Sequence, residues 1–456
     1  MIDNLPAYPA YRDSHLPWVG SIPAHWETIR CRFLFREVDE RSKTGSETHL
    51  SMSQVHGLIP STSLKRKQLT SESYAGGKLC KQGDLVLNRL KAHLGVFAHA
   101  KQAGVISPDY SVFRPVTDGP IHYYEALFKT PSYVGEFRRS TKGIVEGFWR
   151  LYSDDFYNIR ALVPPRDEQD KIVAFLRAQD RQIARFIRDK RRLIELLNEQ
   201  KQTIIHRAVT RGLDPNVRLR PSGIDWLGDV PEHWEIRRLK TIASIIMGQS
   251  PSSTDCNHDG NGFPFLQGCA EFGVVNPEPV QYCPTPPKKA PEGSILLSVR
   301  APVGSMNVAN KIYGIGRGLC AISRGSSLDH YFLFYSLVDS KTQFKIASTG
   351  STYDAVSTKD VGNLLTTFPT LFEQEQISKF VTNETISLED AIAKTKYEID
   401  LIREYRERLI SDVVTGKVDV RGWTPAPEDL ETDNELLAEI GDDEEIPVEE
   451  EGDAND

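Results

Sequence analysis

Two stretches of the chain place one side chain on the same helical face at every turn, stepping alternately by three and four residues. The first runs Ile172, Leu176, Asp180, Ile183, Ile187, Lys190, Ile194, Leu197, Lys201, Ile204, Ala208. The second runs Ile377, Val381, Thr385, Leu388, Ile392, Thr395, Ile399, Ile402, Arg406, Leu409, Val413, at a constant offset of 205. A narrow, mostly apolar seam of this kind predicts helices that pack as a coiled coil. No Pro or Gly interrupts residues 168–208 or 373–413, and the other faces carry charge, as in RDKRR (188–192) and REYRER (403–408). About forty helical residues would extend roughly 60 Å. Pro164 and Pro369 stand just ahead of the helices, and Gly212 and Gly416 stand just beyond them, where helices end. Two helices of matching length and register are expected to pair with each other.

Ahead of each helix lies a region of similar size, roughly 27–163 and 235–368, with short apolar runs bounded by Gly, Pro and Asn. Gly83-Asp-Leu-Val-Leu-Asn-Arg-Leu-Lys-Ala-His-Leu-Gly95 resembles Gly293-Ser-Ile-Leu-Leu-Ser-Val-Arg-Ala-Pro-Val-Gly304, each a turn glycine, a buried strand and a basic loop. A decapeptide ahead of these regions also recurs: WVGSIPAHWE (Trp18 to Glu27) and WLGDVPEHWE (Trp226 to Glu235), 208 positions apart. The chain is therefore a tandem repeat. The expected class is α+β: two globular mixed α/β domains joined by two long antiparallel helices in a coiled coil, with pseudo-two-fold symmetry. The expected boundaries are 1–163 for the N-terminal brace and first domain, 164–212 for the first helix, 213–368 for the second brace and domain, 369–423 for the second helix, and 424–456 for an acidic, disordered tail. If the helices run antiparallel, the domains lie at opposite ends of a rod. WLGDVPEHWE then braces the junction between helix one and domain two. WVGSIPAHWE supplies the same brace to domain one from the N-terminus, so the repeat is circular. The Trp and His of these braces read as packing anchors rather than catalysts.

Composition modifies this picture in one respect. The net charge of −8 is produced by fifteen acidic residues between Glu428 and Asp456, without which the body carries +7. The body is mildly basic. The tail reads as a solubilising segment, with competition against nucleic acid as the sharper alternative. Six scattered cysteines without a C-x-x-C pair argue against a disulfide framework or zinc site. Cys256, His258, Cys269 and Cys283 are too widely spaced for a standard metal pattern. No secretory signal and no membrane-length apolar run is evident, so a cytoplasmic protein is expected.

The chain carries no familiar catalytic signature. Gly76-Gly-Lys78 lacks the upstream glycine of a phosphate loop, and Gly314-Ile-Gly-Arg-Gly318 has the wrong spacing for a dinucleotide fingerprint and reads as a turn. No H-E-x-x-H, nucleophile elbow or deaminase signature occurs. Asn276-Pro-Glu-Pro279 breaks the tetrad that an aminomethyltransferase needs, and Pro108-Asp109 has no acidic-x-Lys partner nearby. The sequence thus points to binding rather than chemistry. Paired domains on a rod suit duplex DNA. The candidate contacts are Lys65, Arg66, Lys67, Asn88, Arg89, Lys91, His93, Tyr110, Arg138, Arg139, Lys142 and Arg300. Arg and Asn can read guanine and adenine edges bidentately, and Lys holds phosphates. A solvated loop charge is the plainer reading of any one of them; the group carries more weight than its members.

The paired Pro-x-x-x-Glu-Gln-x-x-Ile segments (164–172 and 369–377), the W-x-G-x-[IV]-P-x-H-W stretches (18–26 and 226–234), and Gly83-Asp-Leu-Val-Leu-Asn followed by Gly104-Val-Ile-Ser-Pro-Asp-Tyr110 resemble the specificity subunit of type I restriction–modification enzymes. The resemblance covers about residues 11–423 and leaves out the acidic tail. It implies two target-recognition domains, each reading half of a bipartite DNA site. It implies helices that set the gap and dock two modification (methyltransferase) subunits, which bind S-adenosylmethionine, with restriction (translocase and nuclease) subunits supplying cleavage. This chain would itself hold no cofactor or metal and catalyse nothing. Two other readings remain open: a coiled-coil scaffold that does not touch DNA, and a fused DNA methyltransferase or nuclease, which the missing motifs disfavour.

Overall fold

The computed structural model describes residues 6–53, 57–63, 74–143, 149–252, 255–349 and 355–426. It divides into two units, residues 1–192 with 395–456, and residues 193–394. The long helices, Arg166–Arg211 and Leu371–Val414, are thus each shared between the units, so the units do not follow the linear boundaries expected from the sequence.

Within each unit the helical segments run antiparallel. In the first unit Asp180 receives two hydrogen bonds from the Arg406 guanidinium at 2.7 and 3.1 Å, and Lys190 pairs with Glu398 at 2.6 Å. In the second unit Lys201 pairs with Glu389. The residue sums stay nearly constant, as an antiparallel register requires. Every seam position named above is buried or half-buried, and seam ends such as Ile172, Ile187, Ala208, Ile377, Val381 and Val413 are at most 2% exposed. Asp180 and Arg406, both polar seam positions, meet each other. A polar pair inside an apolar seam costs stability relative to leucine but penalises any shifted register.

Each unit repeats one arrangement. In the first, an antiparallel four-stranded sheet has the order Phe35–Val38, Tyr110–Pro115, Leu85–Asn88, Phe97–His99. In the second the order is Ala243–Met247, Leu319–Arg324, Ile295–Ser298, Met306–Val308. The alternating apolar runs flanked by glycine form the central strands, and Leu85, Val86, Leu87 and Ile295, Leu296, Leu297 are fully buried. Three short helices follow in each unit: Ile121–Phe128, Pro131–Ser140 and Ser153–Asn158, then His330–Asp339, Lys341–Thr349 and Thr358–Asn363. The last helix leads to a strand that returns to the brace: Arg160–Val163 pairs with Glu27–Arg30, and Leu365–Phe368 with Glu235–Arg238. The first unit is centred on aromatic packing of Phe35, Phe97, Phe113, Phe128, Phe137 and Phe156. The second unit adds a mixed sheet in which Phe263–Leu266 runs parallel to Tyr313–Ile315.

The structure accounts for the Glu-Gln of both helix starts. Glu168 accepts hydrogen bonds from Trp26 Nε1 (2.9 Å) and Tyr8 OH (2.5 Å) and meets His25 Nε2 at 2.7 Å. Glu373 accepts from Trp234 Nε1 at 3.1 Å and meets His233 Nε2 at 2.7 Å. Its third partner is Thr370, through both N–H (3.1 Å) and hydroxyl (2.8 Å). Pro165 occupies the place of Thr370 in the first repeat and has neither donor; Tyr8 substitutes. The neighbouring glutamines donate to the carbonyl of the proline five residues back, Gln169 to Pro164 at 2.8 Å and Gln374 to Pro369 at 2.9 Å. At the second start the cap is reciprocal, since Glu373 N–H donates in turn to the Thr370 hydroxyl at 3.4 Å.

The brace tryptophans also meet the glycine that ends the other helix. Gly416 has φ +79°, and a Cβ there would strike Pro23 and lie 3.1 Å from Trp26. Gly212 has φ +74°, and a Cβ would lie 3.1 Å from Trp234. Left-handed backbone and close indole packing both call for glycine. Helix two ends at Val414 rather than at 423, because Gly416 turns the chain. The residues that follow return along the N-terminal segment: Asp419 N–H donates to the Pro6 carbonyl at 2.8 Å, and the Arg421 guanidinium lies 4.9 Å from the Tyr8 ring centre. The circular repeat expected from the sequence is thus realised in the first unit, where the N-terminal segment meets the residues after helix two. The acidic stretch 428–456 lies outside the described residues. Among the described residues no helix is long and apolar enough to cross a membrane.

Candidate nucleic-acid interface

The DNA contacts expected from the sequence fall into four groups. Lys65, Arg66 and Lys67 lie outside the described residues. Asn88 and Tyr110, paired across the sheet, are buried at 5% and 3% exposure. The Asn88 amide oxygen accepts from the backbone N–H of Leu90 (3.1 Å) and Lys91 (3.3 Å), so it shapes the turn after its strand. Arg89 is drawn inward: Nε donates to the Asp109 carbonyl at 2.6 Å, and Nη2 reaches the Asp109 carboxylate at 3.5 Å. As placed, Asn88, Arg89 and Tyr110 serve the fold rather than an open surface. Pattern alone could not separate them from surface contacts, because a strand-ending Asn is equally a turn former.

The third group comes together around Trp149, which sequence reasoning did not single out. The His93 ring meets the Trp149 ring edge-on with centres 5.7 Å apart, and the exposed Arg138 guanidinium lies 5.8 Å from the same ring. Burial, then the Arg138 charge, pushes the His93 pKa down, so the imidazole stays neutral and can donate or accept. Half-buried Lys91 sits on the same turn. An aromatic ring beside an arginine suits contact with base or sugar. Arg139 and Lys142 lie in a neighbouring cleft with Asp155 and Asn158. Each is paired with a carboxylate, Arg139 with Glu136 at 2.5 Å and Lys142 with Asp155 at 2.7 Å. The fourth group is Arg300 in the second unit, exposed beyond the strand Ile295–Ser298; the glycine run read as a turn holds a further exposed arginine, Arg317. No cluster of metal-ligating side chains is found among the described residues.

Residues 231–398 match the family of the type I restriction modification DNA specificity domain. The chain is similar to type I restriction specificity subunits. The putative type I restriction enzyme MjaX specificity subunit of Methanocaldococcus jannaschii is 34% identical over 267 residues, covering 58% of this chain and 60% of the relative. The MjaVIII specificity subunit of the same organism is 24% identical over 285 residues, covering 58% of this chain and 64% of the relative. The chain thus matches about three fifths of the length of these specificity subunits. A solved structure, described as the structural basis of complex assembly and conformational transition of the type I R-M system, shares the fold at TM-score 0.63. It is 23% identical and covers 87% of this chain and 99% of that one. The matched domain, residues 231–398, takes in the end of the second brace from Pro231, the Glu373 anchor and Arg300.

Proposed function

We propose that this chain is the DNA-reading component of a type I restriction–modification complex, with each unit reading one half of a bipartite duplex site. The observation that carries the reading is the repeat itself. Two lobes of like sheet order are each fastened to a paired-helix segment by the same Trp–His–Glu anchor. Two like lobes that present different loops suit two different half-sites. The specificity-subunit relatives support the same reading. The helices carry exposed apolar side chains, among them Phe186, Leu193, Leu196, Phe380, Tyr397 and Leu401, which would dock two modification subunits. Those partners would bind S-adenosylmethionine and methylate adenine, and restriction subunits would cleave. The chain itself would choose the address without catalysing a reaction, in the cytoplasm where DNA is met. On this reading Arg138, His93, Lys91, Arg139, Lys142 and Arg300 lie toward the duplex.

The test is co-expression with a modification subunit from the same genome, followed by mapping of methylated adenines. A two-part motif with a fixed gap is expected. A stable complex that leaves no motif and shows no salt-dependent binding to duplex DNA would overturn the reading in favour of a scaffold.

A further inference from the structure

The second unit contains a rigid polar platform where its two sheets meet. The chain after Ala243–Met247 bonds to both: Gly248 N–H donates to the Leu319 carbonyl at 2.9 Å, and Gln249 N–H to the Ile315 carbonyl at 2.9 Å. Three glycines let the backbones approach. A Cβ at Gly248 would strike the Gly316 carbonyl, one at Gly316 would lie 2.6 Å from Gln267 Oε1, and one at Gly318 would lie 2.7 Å from the Gln267 carbonyl oxygen. On this base the Gln267 side chain is oriented by donating to Ser250 Oγ at 2.9 Å. Two arginines lie just past the end of the register between the central strands. Ser298 pairs with Leu319, and Val299 N–H donates to the Gly318 carbonyl at 3.0 Å. Arg300 and Arg317 each adjoin this last bond along their own segments. Gln249, Gln267, Arg300 and Arg317 are all exposed. Their backbones are held by Ser298, which donates to the Arg300 carbonyl at 2.8 Å, and by Ser250, which accepts from the Arg317 N–H at 3.4 Å, while among the described residues neither guanidinium is tethered as that of Arg89 is in the first unit.

We infer that Gln249, Gln267 and Arg317, beside Arg300, form the base-reading surface of the second unit for double-stranded DNA, an inference that rests on the proposed function above. The residue types are those whose forked polar ends match base edges: arginine to the O6 and N7 of guanine, glutamine to the N6 and N7 of adenine. Ser250 engages both ends of the Gln267 amide, accepting from Nε2 at 2.9 Å and donating to Oε1 at 3.3 Å, which leaves one N–H and one oxygen lone pair to meet adenine. A rigid base matters because a flexible arginine gains affinity from phosphate without discriminating bases. The glycines that sequence spacing marks only as a turn are here what fixes the geometry.

The experiment is selection from a pool of randomised duplex DNA by the full-length chain in complex with its modification subunits. Wild type is compared with Arg317→Lys, Arg317→Ala, Gln267→Ala and Gln249→Ala. Arg317→Lys keeps the charge and discards the fork. It is expected to retain affinity for the pool while preference at one position, in one half of the motif only, falls on the order of 5- to 100-fold. Gln267→Ala or Gln249→Ala should relax a different position of the same half. The other half is an internal control for folding. A variant motif identical to wild type, losses spread over both halves, or weaker binding with unchanged base preferences would overturn the inference. If wild type selects no motif, the proposed function fails first and this inference falls with it.

Discussion

Trp26 and Glu168, 142 residues apart, are joined by a 2.9 Å hydrogen bond from the indole N–H to a carboxylate that is almost fully buried. This bond fastens the N-terminal brace to the start of the first long helix. Trp26→Phe keeps most of the packing and removes one donor from a buried anion. It is expected to cost about 1–3 kcal/mol, read by denaturant unfolding of the full chain. An unchanged midpoint would show that the brace holds by packing alone.

The second anchor predicts an acid-sensitive contribution to stability. Burial raises the Glu373 pKa, but hydrogen bonds from His233, Thr370 and Trp234 outweigh it and hold the carboxyl at about 2, below its ordinary 4.5. The folded pKa lies below the unfolded one, so the contribution is complete above about pH 4.5 and is lost as pH falls toward 2. Glu373→Gln should lower stability at neutral pH and flatten the slope of stability against pH in that window. Parallel slopes for wild type and variant would contradict the assignment.

Asp180 and Arg406 specify the helix pairing of the first unit through two hydrogen bonds. Each single alanine substitution should destabilise, and the double-mutant cycle should return a coupling of roughly 0.5–3 kcal/mol. The exchange Asp180→Arg with Arg406→Asp should recover part of the loss. Additive single effects would remove the pair from any role in register.

The Asp419–Pro6 hydrogen bond and the Arg421–Tyr8 stacking make the repeat circular within the first unit. A permutant that joins residue 423 to residue 6 and opens elsewhere in an exposed loop should fold and bind its partners. Lost assembly despite native helix content would argue that the order of the chain matters beyond these contacts.

Much of this was legible in the sequence. A three-four spacing is dictated by helix geometry, so both seams were visible without contacts, and the recurrent Trp, His, Glu and Gln marked the anchors. The end of the second helix was less so: Gly416 marked a stop, but only the contacts of Asp419 with Pro6 and of Arg421 with Tyr8 show that the residues beyond it fold back to the brace. The interface was the least legible part. Asn88, Arg89 and Tyr110 have the residue types of DNA contacts, yet burial and the Asp109 partner use them inside the fold. Trp149, Gln267 and Arg317 gain their meaning from neighbours distant in sequence, which no local pattern reveals.

The proposed spacing role of the helices has its own consequence. Insertion of one heptad into each long helix at matched seam positions should lengthen the gap of the methylated motif and leave both half-sites as they were. An unaltered gap would dissociate helix length from site spacing.

The account's central claim is that each unit reads its own half-site, and exchange of one lobe tests it most directly. Residues 235–368 would be replaced by the corresponding region of another specificity subunit, with both anchors and both helices kept, and methylated adenines would be mapped in cells that supply the modification subunit. One half of the motif should change while the other half and the gap persist. A motif unchanged by the exchange, or altered in both halves, would contradict the account.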